Sequence, residues 1–327
     1  MSQYLVPNDL LALRDDKFLI EDIRQLSRVD NWKSTCVLVQ QWLVIAVAIA
    51  VPVIIDRWWL YIASIVVIAA KQHALAVIVH DATHYRLFTS RSANEYLGNA
   101  LCAFPIFISV QGYRGEHQQH HMWTNTHEDP YLRMFDQDAA WQWPKTTGQA
   151  LWQIFTDVTG LNTLRNLRLI RRWAPFAQWL KHHQNPQLNR RLTIDVLYYL
   201  IFWATIFSSL TFFGIWRMFL LLWVLPALTF YVLFTRLRWI SEHPYGSSIE
   251  IVFKTRHIEG TNLERFFIAP LNVNYHIAHH LFPTVPLFNL PEAHNRLLQH
   301  PSYREEAQRY LSYLGLSDSL RAELIVD

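Results

Sequence analysis

Nine of the sixteen histidines in this 327-residue chain stand in four tight groups. His80 and His84 are four residues apart, His117, His120 and His121 form an H-x-x-H-H block, His276, His279 and His280 form a second, and His243 follows Glu242 alone. Imidazole is the commonest protein metal ligand. A helix carries positions i, i+3 and i+4 on one face, so each block can offer two rings to one ion and a third to its neighbour. Nine ligands exceed the needs of one ion and suit two. A lone H-x-x-x-H is weak evidence, because a single helical histidine is more often a packed or surface group; two H-x-x-H-H blocks beside it are a specific signal. Spacing leaves iron, zinc and copper open. The absence of H-E-x-x-H argues against the common zinc-protease arrangement.

A ligating imidazole normally gives its second N–H to a carboxylate or carbonyl, which fixes the tautomer. Asp81, Glu116 and Glu242 adjoin cluster histidines, and Asp129 lies in the run Thr124–Pro130; all four are expected near the ligands, where they would also offset the charge of the ions. His73, one heptad before His80, is expected to be a packed or supporting group. His127, His182, His183, His257, His294 and His300 show no partner pattern and are expected at the surface.

The elements that carry these residues are apolar. With 51% hydrophobic and 17% charged residues the chain is less polar than a typical soluble domain, and a net charge of +3 is too small to suggest a nucleic-acid partner. Cys36 and Cys102 suggest neither a disulfide framework nor a C-x-x-C site and are expected as buried small hydrophobes. Apolar runs at Cys36–Ile55, Trp58–Val79, Ile194–Phe213 and Met218–Leu237 each approach the ~20 residues that cross a hydrocarbon core. The short breaks at Asp56-Arg57 and Gly214–Arg217 predict two helical hairpins, with Trp58, Trp59 and Tyr61 in an interfacial belt. Four spans put both termini on one side. Only Arg57 and Arg217 lie in the tight turns, whereas Arg14, Lys17, Arg24, Arg28, Lys33, Arg165, Arg168, Arg171, Arg172, Lys181, Arg190 and Arg191 lie outside them, so that side is predicted to be cytoplasmic. Residues 1–33 do not read as a cleaved signal peptide.

The expected protein is therefore all-α and integral to a membrane such as the bacterial inner membrane. Its four transmembrane helices form two hairpins, and a cytosolic helical cap carries the histidines. A single domain would divide into a cytosolic segment 1–34, a hairpin 35–80, a cytosolic or interfacial cap 81–192, a hairpin 193–238, and a cap and tail 239–327. The stretch Leu97–Val110 is too short to span and suggests a re-entrant or interfacial helix. Asp138–Arg191, with five tryptophans among basic residues, reads as an amphipathic cover of the site, a surface helix or a docking face. Ionisable residues inside the spans reduce to Lys71 and His73, near the histidine end. A metal pair placed there would meet substrates entering from lipid. Attack on an unactivated alkyl C–H bond needs a strong oxidant, which iron with dioxygen supplies and zinc does not.

From about Gln72 to Pro286 the chain resembles the membrane fatty acid desaturases of the histidine-box superfamily, which also holds alkyl hydroxylases and carotenoid hydroxylases and ketolases. The resemblance rests on HDATH at His80–His84, on HQQHH through TNTHEDP at His117–Pro130, on R-x-x-x-E-H at Arg238–His243, and on NVNYHIAHHLFP at Asn272–Pro283. It implies a four-helix membrane bundle with a cytosolic cap and two iron ions. His80, His84, His117, His120, His121, His243, His276, His279 and His280 would be the ligands. Asp81, Glu116, Asp129, Arg238, Glu242, Asn272 and Asn274 would support them. It further implies O2, a lipid or acyl substrate, and electrons from a ferredoxin or cytochrome b5 with its reductase. That donor is expected to be a separate protein, since no His-Pro-Gly-Gly haem motif occurs. Ala278 stands where many relatives carry glutamate. The narrow gap between His80 and His84 leans towards lipid-linked or free acyl chains.

Desaturation of an acyl chain is the leading expectation, with hydroxylation or ketolation of a carotenoid or other long apolar substrate as the alternative. A metal transporter would need more ionisable groups along the spans, and a hydrolytic zinc enzyme a clear carboxylate base.

Overall fold

In the computed structural model, residues 13, 16–182, 184–244, 253–315 and 318–326 are described; Arg14 and His183 lie outside them, as does the side chain of Arg168. The chain divides into two compact units. A two-segment unit comprises Asp30–Gln118 and Leu151–Arg236; a three-segment unit comprises Met1–Val29, Gln119–Ala150 and Leu237–Asp327.

The two-segment unit holds the apolar helices. Among the described residues four are long and apolar enough to cross a membrane: Asn31–Ile55, Trp58–Thr83, Pro186–Phe213 and Trp216–Glu242, of 25, 26, 28 and 27 residues, the last crossing into the other unit at Leu237. At 1.5 Å per residue each exceeds the ~30 Å hydrocarbon thickness. Their ends follow from local chemistry. Asp30 starts the first by accepting the N–H groups of Trp32 and Lys33; left-handed Asp56 stops it. Asn185 caps the third, with Pro186 at its first position. Gly214 stops that helix at φ +65°, a region glycine enters without strain. The fourth widens over Leu220–Val224 and breaks at Thr229, downstream of Pro226, which has no N–H to donate. Burial separates inner from outer helices: 67% of the apolar window of the second span is buried, against 22% in the first and 11% in the third.

The spans hold more ionisable groups than Lys71 and His73. Asp195 accepts Asn99 Nδ2 at 2.6 Å, and Arg236 forms a buried pair with Asp157 at 2.7 Å. In the sequence both Asp195 and Arg236 stand among apolar residues that mask them. Lys71 Nζ donates to Gln41 Oε1. Cys102 is buried as expected, but Cys36 is exposed on the first span, where lipid rather than protein would cover a small hydrophobe.

The segment Leu97–Val110 is a broken helical stretch, with a wide turn at Asn99–Ala103, a tight one at Phe104–Ile106 and left-handed Phe107. It feeds the helix Val110–Trp123, whose first N–H is accepted by Asn99 Oδ1 at 2.8 Å. Gly112 is required there: a Cβ would lie 2.3 Å from the carbonyl oxygen of Trp173.

The three-segment unit is built from short helices, among them Lys17–Leu26, Pro130–Asp136, Asn262–Phe267, His276–Leu281 and Leu290–Leu297. Two short strands, β1 (His257–Ile258) and β2 (Arg309–Tyr310), pair in parallel. Tyr131, Phe135, Trp141 and Trp239 form its aromatic core, with Trp239 edge-on to Tyr131 and Phe135.

Candidate metal centre

Four imidazoles converge inside the three-segment unit. His120 comes from the helix Val110–Trp123, His243 from just beyond Glu242, and His276 and His280 from successive turns of His276–Leu281. One nitrogen from each lies within 4.8 Å of the others. His276 Nε2 is 2.9 Å from His243 Nε2 and 3.1 Å from His280 Nε2. One ring nitrogen cannot make two linear hydrogen bonds at once in any single tautomer. Two nitrogens bound at ~2.1 Å to one ion and set at right angles would stand about 3 Å apart. The donor set therefore fits a metal ion. Burial, reinforced by neighbouring imidazoles and by Arg238 beside His243, holds His243 and His280 well below the usual imidazole pKa, in the neutral form that ligates.

The surrounding groups orient these rings. Asp129, fully buried, accepts His120 Nδ1–H at 2.9 and 3.1 Å and so leaves Nε2 for the ion. The same carboxylate accepts the N–H groups of Asn125 and Tyr131, capping the helix Pro130–Asp136. Glu242 Oε2 lies 3.6 Å from His276 Nε2, while its Oε1 accepts Arg238 Nε at 2.7 Å. Thr124 Oγ1 donates to the carbonyl of His120 and sits 3.3 Å from His280 Nδ1. Tyr131 packs on the His120 ring, 4.6 Å between centroids. His121 and His279 meet Nε2 to Nε2 at 3.0 Å. Thr124 and Tyr131 were not anticipated, although both flank residues that were.

The two-segment unit carries a second convergence. Nitrogens of His80, His84 and His117 lie within 4.8 Å of one another, with His84 and His117 Nε2 atoms 2.9 Å apart. His80 occupies the last turn of the second span and His84 caps its end. Arg114 clamps that end by donating to the carbonyls of Thr83 and Ala82. Burial, then Arg114 and Arg86, lower His84 to about 3, so its ring too is neutral. Tyr113 stacks on His117 at 4.9 Å.

Other anticipated residues have different company. The Glu116 carboxylate is held by Arg172 at 2.5 Å, Lys181 at 3.2 Å and the Trp173 indole at 3.0 Å. Asp81 is buried, and its carbonyl accepts the N–H groups of His84 and Arg86. Asn272 donates to the carbonyl of Leu287 and Asn274 to that of Ile258. His73 is fully buried beside Tyr231, a packed group as expected. His127 is exposed, and His182 and His300 are half-buried. His257 and His294 overturn the surface expectation: both are buried and stack on each other at 4.1 Å. Their partners come from distant segments, so no local spacing announces them.

Two comparisons place the chain among known proteins. The sequence profile of the fatty acid desaturase family matches residues 56–313. A protein named dihydrorhizobitoxine desaturase from Bradyrhizobium elkanii is 28% identical over 297 residues, covering 89% of this chain and 83% of its own. A chloroplastic omega-6 fatty acid desaturase from Spinacia oleracea is 27% identical over 243 residues, covering 68% of this chain and 49% of its own. An sn-1 oleoyl-lipid 12-desaturase from Anabaena variabilis is 24% identical, again over 68% of this chain and over 64% of the relative. The chain thus spans about half of the spinach protein and most of the Bradyrhizobium one. With apolar helices of membrane length, two sets of converging imidazoles and a profile match over most of its length, the chain belongs to the fatty acid desaturase family, a family of membrane proteins.

Proposed function

We propose that this protein is an O2-dependent oxidoreductase that introduces a double bond into a fatty acyl chain, using two iron ions held by His80, His84, His117, His120, His121, His243, His276, His279 and His280. The convergence of His120, His243, His276 and His280 on one point carries the reading. It is a set of imidazoles with few protein oxygens, a donor set compatible with iron. Iron with dioxygen supplies the oxidising power for an alkyl C–H bond, and electrons come from a separate ferredoxin or cytochrome b5-type protein. The chain's own task is to hold the ligand rings neutral, fix their tautomers and exclude water. Asp129 fixes the tautomer of His120, while Arg238 holds Glu242 beside His276. Asp81, Asn272 and Asn274 belong to the same supporting set, whereas the Glu116 carboxylate, expected there too, is turned to Arg172 and Lys181. The amides of Asn272 and Asn274 pin the backbone that leads into His276.

An apolar cavity of about 300 Å³ in the two-segment unit, lined by Trp42, Ile45, Phe202, Trp203, Leu222 and Trp223 among others, supports a long hydrocarbon substrate. The four spans form two hairpins and the histidine-bearing segments a cytosolic cap. Both termini are cytoplasmic, because basic residues cluster outside the two tight turns. Expression in a host lacking related enzymes, followed by mass spectrometry of lipid and carotenoid extracts beside a His120→Ala control, tests the reading. An acyl chain lighter by about two mass units only with the wild type supports it. A product carrying an added oxygen instead establishes the hydroxylase alternative.

A further inference from the structure

Away from the nine clustered histidines, the three-segment unit assembles another set of metal-ligating groups. His257 stands on β1, Glu259 two residues later, and His294 on the helix Leu290–Leu297. His257 and His294 are 0% and 2% exposed, whereas Glu259 reaches the surface.

Hydrogen bonding assigns the tautomers. His257 Nδ1 lies 3.1 Å from the carbonyl oxygen of Asn274, and a carbonyl only accepts, so Nδ1 carries the proton. In the neutral ring Nε2 is then a lone pair. It points at Glu259 Oε1, an acceptor, 3.1 Å away. Two acceptors at that distance require a proton or a metal ion between them. On the neighbouring ring, His294 Nδ1 lies 2.8 Å from the hydroxyl of fully buried Tyr303. His294 Nε2 is buried and has no hydrogen-bond partner among the described residues. A buried ring nitrogen left without a partner loses its hydration for nothing in return.

A proton on His257 Nε2 would answer the first observation and not the second. It would leave the stacked His294 ring, 4.1 Å away, with its Nε2 still without a partner among the described residues. An ion shared by both Nε2 atoms and the carboxylate answers both. One ligand atom from each of the three residues lies within 4.8 Å of the others. Two imidazoles and one carboxylate, with water in the fourth position on the exposed side of Glu259, make a zinc-type coordination set.

We propose that His257 Nε2, His294 Nε2 and a carboxylate oxygen of Glu259 bind a further divalent cation of zinc-like preference, separate from the clustered histidines. The ion would clip β1 to the helix Leu290–Leu297. Through the Asn274 carbonyl held by His257, it would also steady the segment entering His276.

The test uses the full-length protein in detergent, stripped with chelator and dialysed against buffered Zn2+, with bound zinc counted by plasma mass spectrometry. Glu259→Gln changes a surface-reaching side chain, so the fold should persist; gel filtration verifies this. Glu259→Gln and His294→Gln should each hold about one zinc per chain fewer than the wild type. His243→Ala should lose zinc from the clustered set while leaving that difference intact. Equal zinc in wild type and monodisperse Glu259→Gln would overturn the site, whatever the clustered histidines bind.

Discussion

Replacing Asp129 by Asn isolates the part that one carboxylate plays in a four-imidazole site. Both Asp129 oxygens lie within 3.1 Å of His120 Nδ1, and the group is sealed from water. As a carboxylate it offers only acceptors, so the His120 proton must sit on Nδ1 and the lone pair on Nε2. Asparagine keeps one acceptor and replaces the other with an NH2. Its Oδ1 can still accept from Tyr131 N–H, because Asn caps helices about as well as Asp. Only one oxygen then remains for three donors: His120 Nδ1, Asn125 N–H and Tyr131 N–H. Losing such a partner typically lowers metal affinity ~10–100-fold, about 1.4–2.7 kcal/mol at 1.36 kcal/mol per decade. Dialysis of wild type and Asp129→Asn against a graded series of metal–chelator buffers would read this as a shift of the release midpoint. Asp30→Asn is the control, since Asp30 caps the first span through Trp32 and Lys33 and should leave the midpoint where it was. Should a monodisperse Asp129→Asn protein release metal at the wild-type midpoint, the carboxylate does not set the His120 tautomer and the reasoning fails.

The Arg236–Asp157 pair is 1% and 0% exposed, so Asp157→Asn leaves a buried guanidinium uncompensated. A loss of about 3–5 kcal/mol is expected, read as a marked fall in the thermal midpoint in detergent; an unchanged midpoint would show water reaching the pair. Leu222 is 2% exposed and lines the apolar cavity. At ~0.8 kcal/mol per buried methylene, Leu222→Trp should move the products of the expression assay towards shorter chains, and an unaltered chain-length profile would remove the cavity from substrate binding. His84 is lowered to about 3 in the folded protein from an ordinary 6.5, so the unfolded chain binds the extra proton between those values. Metal-free protein should therefore lose stability as the pH falls from about 6.5 towards 3, with a shallower fall in His84→Gln; a steeper one would contradict the burial of that ring.

Legibility in the sequence followed the range over which each interaction acts. Span existence depends on composition alone, and the four apolar runs are within a few residues of the observed helices at their inner turns. At their outer ends the helices run on to Asn31, Thr83, Pro186 and Glu242, because those extensions are amphipathic and escape a hydropathy reading. Asp129 could be found because it lies in the short polar run Thr124–Pro130 that follows His120 and His121 in the sequence; the structure adds that the same carboxylate caps Pro130–Asp136 and turns to His120. Glu116 shows the limit of adjacency. Neighbours on a helix point about 100° apart, and its oxygens face Arg172 and Lys181 rather than following His117. His257 and His294 mark a deeper limit. Metal blocks such as H-x-x-H-H are visible because one helix supplies several ligands at fixed spacing, whereas a ligand set drawn from a strand and a remote helix has no spacing to read. Regular spacing therefore favours the discovery of ligands that share an element. In this protein it picks out the clustered histidines and passes over a buried pair whose surroundings suit an ion for the same chemical reasons.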